Sequence, residues 1–135
     1  MAVATCWSTT VTLPLSPHPD LAVEAGLHFD SSLPYAVRLL FPPVGRIEAV
    51  EWVFGRDLLN EGRLAPAGHG DVTIRPGTAG DVLVTLHGGT GAAVVSIPAE
   101  IVTGFLLECY ALVPVGREHE HLDVDGLVAQ VLEAS

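Results

Sequence analysis

The chain has 135 residues, which is enough for one domain over residues 1–135 with a single hydrophobic core. Hydrophobic residues make up 49% of it and charged residues 16%, and this balance, with a mean hydropathy of +0.45, excludes a disordered chain and leaves apolar surface for self-association. The formal net charge of −10, with six arginines and no lysine, argues against a nucleic-acid binder and against a basic membrane-docking patch.

Alternating apolar residues predict four strands in the first 55 residues. Prolines interrupt the chain after the first strand and again after the third. Glu51 points outward in the fourth strand, and the orientation of Val53 stays open. The residues predicted to face the core are Trp7, Thr9, Val11 and Leu13, then Leu27 and Phe29, then Tyr35, Val37, Leu39 and Phe41, then Val50, Trp52 and Phe54.

A short helix is predicted directly after the fourth strand, over the segment LLNE. Asp57 stands where its carboxylate can accept a backbone N–H from the first turn, so we expect it to be the N-cap. Gly62 follows the last helical residue and fits a C-terminal stop.

Three more strands and two helices follow. The strands DVTIR, VLVTLH and AAVVSI are joined by short glycine-rich turns, which favours antiparallel pairing. Pro98 suits the first position of a helix whose apolar stripe includes Cys109, and Asp123 suits the cap of a final helix. We therefore predict an α+β fold: a mostly antiparallel sheet of about seven strands, a short central helix and two C-terminal helices.

The sequence contains no recognisable set of catalytic residues. It has no GxSxG motif. Cys109 with His119 or His121 could form a thiol–imidazole pair, but the place of Cys109 on an apolar stripe favours simple packing. The GGTG segment at 88–91 precedes a strand, so a hairpin turn is favoured over a phosphate loop, which needs a helix after it. We expect no catalytic residue and no cofactor.

The sequence offers residues for two other kinds of site, a metal site and a nucleobase-stacking surface. His119 and His121, two residues apart, could share a metal ion, but a structural zinc site needs four ligands from separated elements, and a solvated acidic loop is favoured. We expect no metal ligand. The strand aromatics could stack nucleobases, but each lies on the apolar face of its strand, which favours core packing.

The segment EWVFGRDLLNEG, residues 51–62, resembles the signature of the SsgA-like family of sporulation-specific cell-division proteins of actinomycetes. The likeness continues in order through AGLHFD, PYAVRLLF, GDVTIRP and FLLECYALVPVGREHEHLDVDGLVAQVL, and is greatest to the septum-placing SsgB-like subgroup. The resemblance implies a single domain with a fold like the "whirly" single-stranded nucleic-acid-binding fold, assembled as a homotrimer.

The resemblance also implies a function. Members are non-enzymatic regulators of sporulation-specific cell division that act by protein–protein binding, in placing the septum and recruiting the tubulin-like protein FtsZ. FtsZ, other SsgA-like proteins and further copies of the chain are the expected partners. The whirly-like fold leaves single-stranded nucleic-acid binding as the alternative, although Arg38, Arg56 and Arg75 would then have to cluster against the acidic background.

The sequence also gives expectations for the location of the protein and for its contact residues. The N-terminal residues lack a basic stretch followed by an apolar one, and no apolar run approaches the roughly 20 residues of a membrane span. We expect a cytoplasmic protein at division septa, without direct membrane insertion. Within residues 48–63, the candidates for contact with a partner are Glu51, Arg56 and Arg63.

Overall fold

The computed structural model describes residues 3–89 and 91–121. Antiparallel sheets and helices make up this part of the chain, which confirms the predicted α+β class. The elements in chain order are β1 (Ala4–Val11), β2 (Val23–Asp30), β3 (Ala36–Phe41), β4 (Val50–Gly55), α1 (Arg56–Gly62), β5 (Val72–Pro76), β6 (Asp81–Gly88), β7 (Gly91–Pro98), α2 (Ala99–Leu112) and a 3₁₀ helix (Glu118–His121).

The strands form two sheets instead of the single sheet expected from the sequence. Sheet A has the order β1-β2-β3-β4 and sheet B the order β5-β6-β7, and neighbouring strands are antiparallel throughout. Helix α1 and the loop after it separate β4 from β5 in the chain, so each run of strands forms its own meander. The two sheets meet where Thr12 and Ser96 exchange backbone hydrogen bonds of 3.1 and 2.8 Å.

Both sheets contribute to one hydrophobic core, which α2 covers. The period-two pattern places alternate residues of each strand on the core side, as predicted for most of β1, β2 and β3. The fully buried apolar side chains include Leu27, Leu39, Val84, Ile97 and Phe105. Their removal from water is the main favourable term in folding this domain.

Helix α2 packs closely on β1 through a glycine. A Cβ atom at Gly104 would lie 2.6 Å from the Trp7 ring, so only glycine leaves room for the indole against the helix at this point. One turn further on, Glu108 accepts a 3.0 Å hydrogen bond from the Trp7 indole N–H and a second bond from the Thr5 hydroxyl. The spacing of Gly104 and Glu108 on one face of α2 thus fixes the helix over the first strand.

Helix α1 begins two residues earlier than predicted, and Asp57 is not its cap. The residue before the helix is Gly55, in extended conformation and without a side-chain capping bond. Asp57 therefore lies inside the first turn, where its carboxylate accepts a 2.9 Å hydrogen bond from the Tyr110 hydroxyl of α2. Gly62 is not the stop after the helix but its last residue, followed by Arg63 as C-cap. Glycine is required there by close packing, because a Cβ atom would lie 2.4 Å from Ile74.

Three other predicted features differ from the structure or concern residues outside 3–89 and 91–121. Tyr35 and Val50, predicted to face the core, are exposed, because Tyr35 precedes β3 and Val50 is the first residue of an end strand. Pro98 precedes α2 and is not its first residue. The final helix capped by Asp123 lies outside the described residues.

Candidate functional site

The structure does not bring the three candidate contact residues together. Glu51 is exposed on β4, where its carboxylate lies 3.9 Å from the Arg38 guanidinium. Arg63 is half-buried at the C-terminal end of α1, and its Nε donates a 2.9 Å hydrogen bond to the Asn60 side chain. Arg56 is only 1% exposed, so the prediction that it offers a surface contact is wrong.

Arg56 is held inside the protein by groups that arrive from the C-terminal third of the described chain. One guanidinium nitrogen donates to the carbonyl oxygens of Val113 and Cys109, at 2.6 and 3.3 Å. The other donates to the Glu118 carboxylate at 2.9 Å. The Tyr110 ring lies 4.3 Å from the guanidinium carbon, within reach of a cation–π interaction.

The acceptors around Arg56 fit a cation well. The carbonyls of Cys109 and Val113 lie at the C-terminal end of α2, which carries the negative end of the helix dipole. The pKa of Glu118 is lowered, first by its own backbone N–H, with help from the Gly116 N–H and the Arg56 charge, against an opposing contribution from burial. Arg56 therefore joins α1, α2 and the 3₁₀ helix, and its role is to position these elements.

A candidate surface for a partner protein lies instead along β4 and the turn before it. Four apolar residues here are well exposed: Val44 (65%), Ile47 (69%), Val50 (44%) and Val53 (55%). We call this group the β4 edge surface. In the described part of the chain, β4 is the end strand of sheet A and pairs only with β3.

Local sequence explains why these side chains project. Val44 and Ile47 exchange backbone hydrogen bonds of 3.0 and 2.9 Å across a tight turn, in which Gly45 adopts a φ of +57°. Such a conformation is disfavoured for residues with a Cβ, so glycine permits the turn that carries both side chains outward. In β4 itself, positions 50 and 53 differ by an odd number, so their side chains lie on opposite faces of the sheet.

Exposed apolar side chains on both faces of an end strand are unusual in a protein that stays alone. End strands are normally protected by charges, prolines or bulges, because their free N–H and C=O groups can pair with another chain. Of these protective features, β4 itself carries only one charged side chain, that of Glu51. This strand can therefore offer backbone pairing together with apolar contact, as in recognition by strand addition.

A groove beside β4 adds a recess for a partner side chain. It has a volume of about 340 Å³ and is lined by Trp52, Leu86, Gly88, Gly91, Ala92 and Ala93. Trp52 is half-buried on β4, and the small residues belong to the hairpin of β6 and β7. A large half-exposed aromatic next to small residues is the type of recess that anchors interface side chains.

The structure argues against the three kinds of reactive site that the sequence left open: a thiol–imidazole pair at Cys109, a phosphate loop at residues 88–91 and a metal site. Burial raises the pKa of the Cys109 thiol to about 12, so it is neutral and a poor nucleophile, and its predicted core position is confirmed. The turn after β6 leads into β7 with Gly88 paired to Gly91, as predicted for a hairpin. Across residues 3–89 and 91–121, no group of three or more His, Cys, Asp or Glu side chains is placed to hold a metal ion.

Two further observations bear on nucleic acid and membrane. Arg56 is buried, so it cannot join Arg38 and Arg75 in a basic face. Phe29 and Phe54 are buried as predicted, whereas Tyr35 is the exposed exception among the strand aromatics. Within the described helices, none is long and apolar enough to cross a bilayer.

Comparison with known proteins identifies relatives over most of the chain. Residues 23–118 match the family model described as "Streptomyces sporulation and cell division protein, SsgA". The sporulation-specific cell division protein SsgB of Streptomyces coelicolor is 41% identical over 126 residues, covering 91% of each chain. SsgB of Kineococcus radiotolerans is 43% identical over 119 residues, covering 84% of this chain and 71% of its own.

Solved structures agree with these matches. An SsgB structure described with mutations that correlate to longitudinal cell division during sporulation of Streptomyces coelicolor superposes with a TM-score of 0.81 and 38% identity, covering 90% of this chain and 98% of that one. An SsgA-like sporulation-specific cell division protein from Thermobifida fusca gives a TM-score of 0.82 and 32% identity, covering 96% of each. The resemblance noted in the sequence is confirmed, and the chain belongs to the SsgA family of sporulation and cell division proteins.

Proposed function

We propose that this protein regulates sporulation-specific cell division without catalysis, by binding other proteins at the β4 edge surface. Relatives over most of the chain carry the name sporulation-specific cell division protein, which supports the process. The observation that carries the binding mode is the position of β4 at the end of sheet A. In the described part of the chain only β3 pairs with it, so the backbone groups on its other edge are free, and the exposed Val50 and Val53 lie beside them.

The proposed partners are FtsZ, other SsgA-like proteins and further copies of the chain, with a trimer as the self-assembled form. The apolar content of 49% in a chain of 135 residues supports burial of surface between subunits. The excess of acidic residues disfavours nucleic acid and leaves proteins as the better class of partner. A place at division septa, in the cytoplasm, follows from these partners.

The test compares matched surface variants in direct binding. Val53→Asp places a charge on the β4 edge surface, and Leu15→Asp places the same charge on a loop residue that is 79% exposed. Biolayer interferometry would measure the affinity of each variant for purified FtsZ and for SsgA-like proteins. We expect Val53→Asp to weaken binding of at least one of them about tenfold or more, because a desolvated charge costs over about 1.4 kcal/mol.

Leu15→Asp should bind like the unmodified protein. Equal affinities for Val53→Asp and Leu15→Asp would contradict the location of the binding surface. A folded protein that binds none of these partners at micromolar concentration would contradict the proposed function itself.

A further inference from the structure

A cysteine and a histidine face each other on the outer side of sheet A, away from the core. Cys6 of β1 is the cross-strand neighbour of His28 of β2. The Cys6 sulfur lies 3.5 Å from Nε2 of the His28 ring, within the range of a hydrogen bond to sulfur. Cys6 is exposed and forms no disulfide. An imidazole in this position can take the proton of the thiol.

The neighbouring glycine lets the imidazole lie where it does. A Cβ atom at Gly26 would be 2.8 Å from His28 Nε2, so the ring covers the backbone of β2 at the position that lacks a side chain. Gly26 is buried although it belongs to the outer face of the sheet. The close approach of thiol and imidazole is therefore built into the strand pair by a specific residue.

A cleft beside this pair leaves room for a small molecule. It has a volume of about 480 Å³, and its lining includes Cys6, Ser8, Thr10, Glu24, Leu40 and Pro42. Pockets for small ligands in proteins typically measure about 300–1,000 Å³. The thiol thus stands at the wall of a space that can hold the group attached to it.

We propose that Cys6 is a site of S-thiolation by low-molecular-weight disulfides, with His28 as the base. The Cys6 thiol gives its proton to His28 Nε2, and the thiolate attacks one sulfur of the small disulfide. A new S–S bond joins Cys6 to that half, the original S–S bond breaks, and the leaving thiolate takes the proton back from the imidazolium. The small disulfide is the oxidant, and one of its halves departs as a free thiol.

The charges around the pair disfavour metal binding. Arg38 is the cross-strand neighbour of His28 on the other side, and it brings a positive charge to this face, partly offset by Glu51 at 3.9 Å and by Glu24 in the cleft. In the described part of the chain, the pair has no third ligand for a metal ion. A cation beside the ring repels a metal ion.

The second cysteine provides an internal control. Cys109 is fully buried, and burial raises its pKa to about 12, so the folded protein should present a single reactive thiol. Cys6 differs from Cys109 because it is exposed and has the His28 imidazole beside it. Modification at Cys6 alone is therefore expected while the protein stays folded.

The experiment follows the reaction of the full chain with 2-hydroxyethyl disulfide by intact-mass and peptide mass spectrometry. Rates are compared for the unmodified protein, Cys6→Ser, His28→Gln, Gly26→Ala and the matched control His18→Gln. At about pH 7 we expect His28→Gln to react at least about tenfold more slowly than the unmodified protein. Gly26→Ala, which displaces the ring, should also slow the reaction, and His18→Gln should not.

A pH comparison separates a base from a residue that merely shapes the surface. Near about pH 10, where thiols ionise without help, the difference between His28→Gln and the unmodified protein should shrink to within about twofold. A tenfold difference that persists at this pH would overturn the assignment of His28 as a base. Equal rates at about pH 7, or an adduct on Cys109 of the folded protein, would overturn the proposed site.

Discussion

Replacing Arg56 by methionine should destabilise the protein severely, because this buried side chain holds several elements of the fold together. The substitution keeps an unbranched side chain of similar length but removes three hydrogen bonds, to Val113, Cys109 and Glu118. It leaves the Val113 carbonyl oxygen without this donor, whereas the Cys109 oxygen keeps the Val113 N–H and the Glu118 carboxylate keeps the Gly116 N–H. Breaking one half of a buried ion pair is far more costly than losing an exposed one, because the remaining charge stays without compensation.

The magnitude follows from the bonds. A hydrogen bond to a charged group contributes at least about 1.5 kcal/mol. Two well-formed bonds, at 2.6 and 2.9 Å, and one longer bond, at 3.3 Å, give a loss of about 4 kcal/mol. This lies inside the range of about 3–5 kcal/mol for removing one partner from a buried pair.

Urea unfolding followed by the fluorescence of Trp7 and Trp52 measures the effect. Arg38→Met is the matched control, because its 3.9 Å pair with Glu51 is 40% and 44% exposed and should contribute less than about 1 kcal/mol. The double variant Arg56→Met/Glu118→Leu should be more stable than Arg56→Met alone, since it leaves no unpaired charge. A loss for Arg56→Met within about 1 kcal/mol of the Arg38→Met control would refute the reasoning.

Two further predictions concern packing and pH. Gly62→Ala should lower the free energy of unfolding by about 1–3 kcal/mol, because its Cβ would lie 2.4 Å from Ile74. Gly70→Ala, with open space around the new Cβ, is its control, and equal urea midpoints would contradict the packing argument. Burial raises the pKa of the Cys109 thiol. Burial, together with the hydrogen bond to Asp57, also raises the pKa of the Tyr110 hydroxyl. Because the unfolded chain then ionises first, stability should fall as pH rises above about 9, and Tyr110→Phe should flatten this fall in urea titrations; a curve level to about pH 11 would contradict it.

Local patterns in the sequence predicted much of the fold. Alternation placed Leu27, Leu39 and Phe54 on the core side, because a strand exposes every second residue to the same environment. The helical stripe likewise placed Cys109 inside. These predictions succeeded because the relevant contacts follow from the period of one element.

The environment of Arg56 could not be predicted in the same way. Its acceptors come from residues 53, 57 and 62 positions further along the chain. An arginine between a strand and a helix is ordinarily exposed, and no local signal indicated that the end of α2 would cover it. The same reason explains why Asp57 was wrongly predicted to be a helix cap: its hydrogen-bond partner, Tyr110, lies in α2, far along the chain.

The β4 edge surface was missed for a related reason. The period of β4 assigns Val50 to the core face, but a strand at the end of a sheet has no neighbour to cover that position. Strand order is a property of the whole fold, and one strand's sequence does not reveal it. Glu51 was identified on this strand as an outward residue, and it does lie exposed there.

Hydrogen exchange with and without a bound partner tests the central claim most directly. The measurement would use the full chain, saturated with whichever purified protein, FtsZ or another SsgA-like protein, it binds. We predict slower exchange of backbone amides in Val50–Gly55 and in the turn at residues 44–47, because a partner on β4 removes these groups from water. Unchanged exchange in both segments at saturation, with protection elsewhere on the domain, would contradict the account.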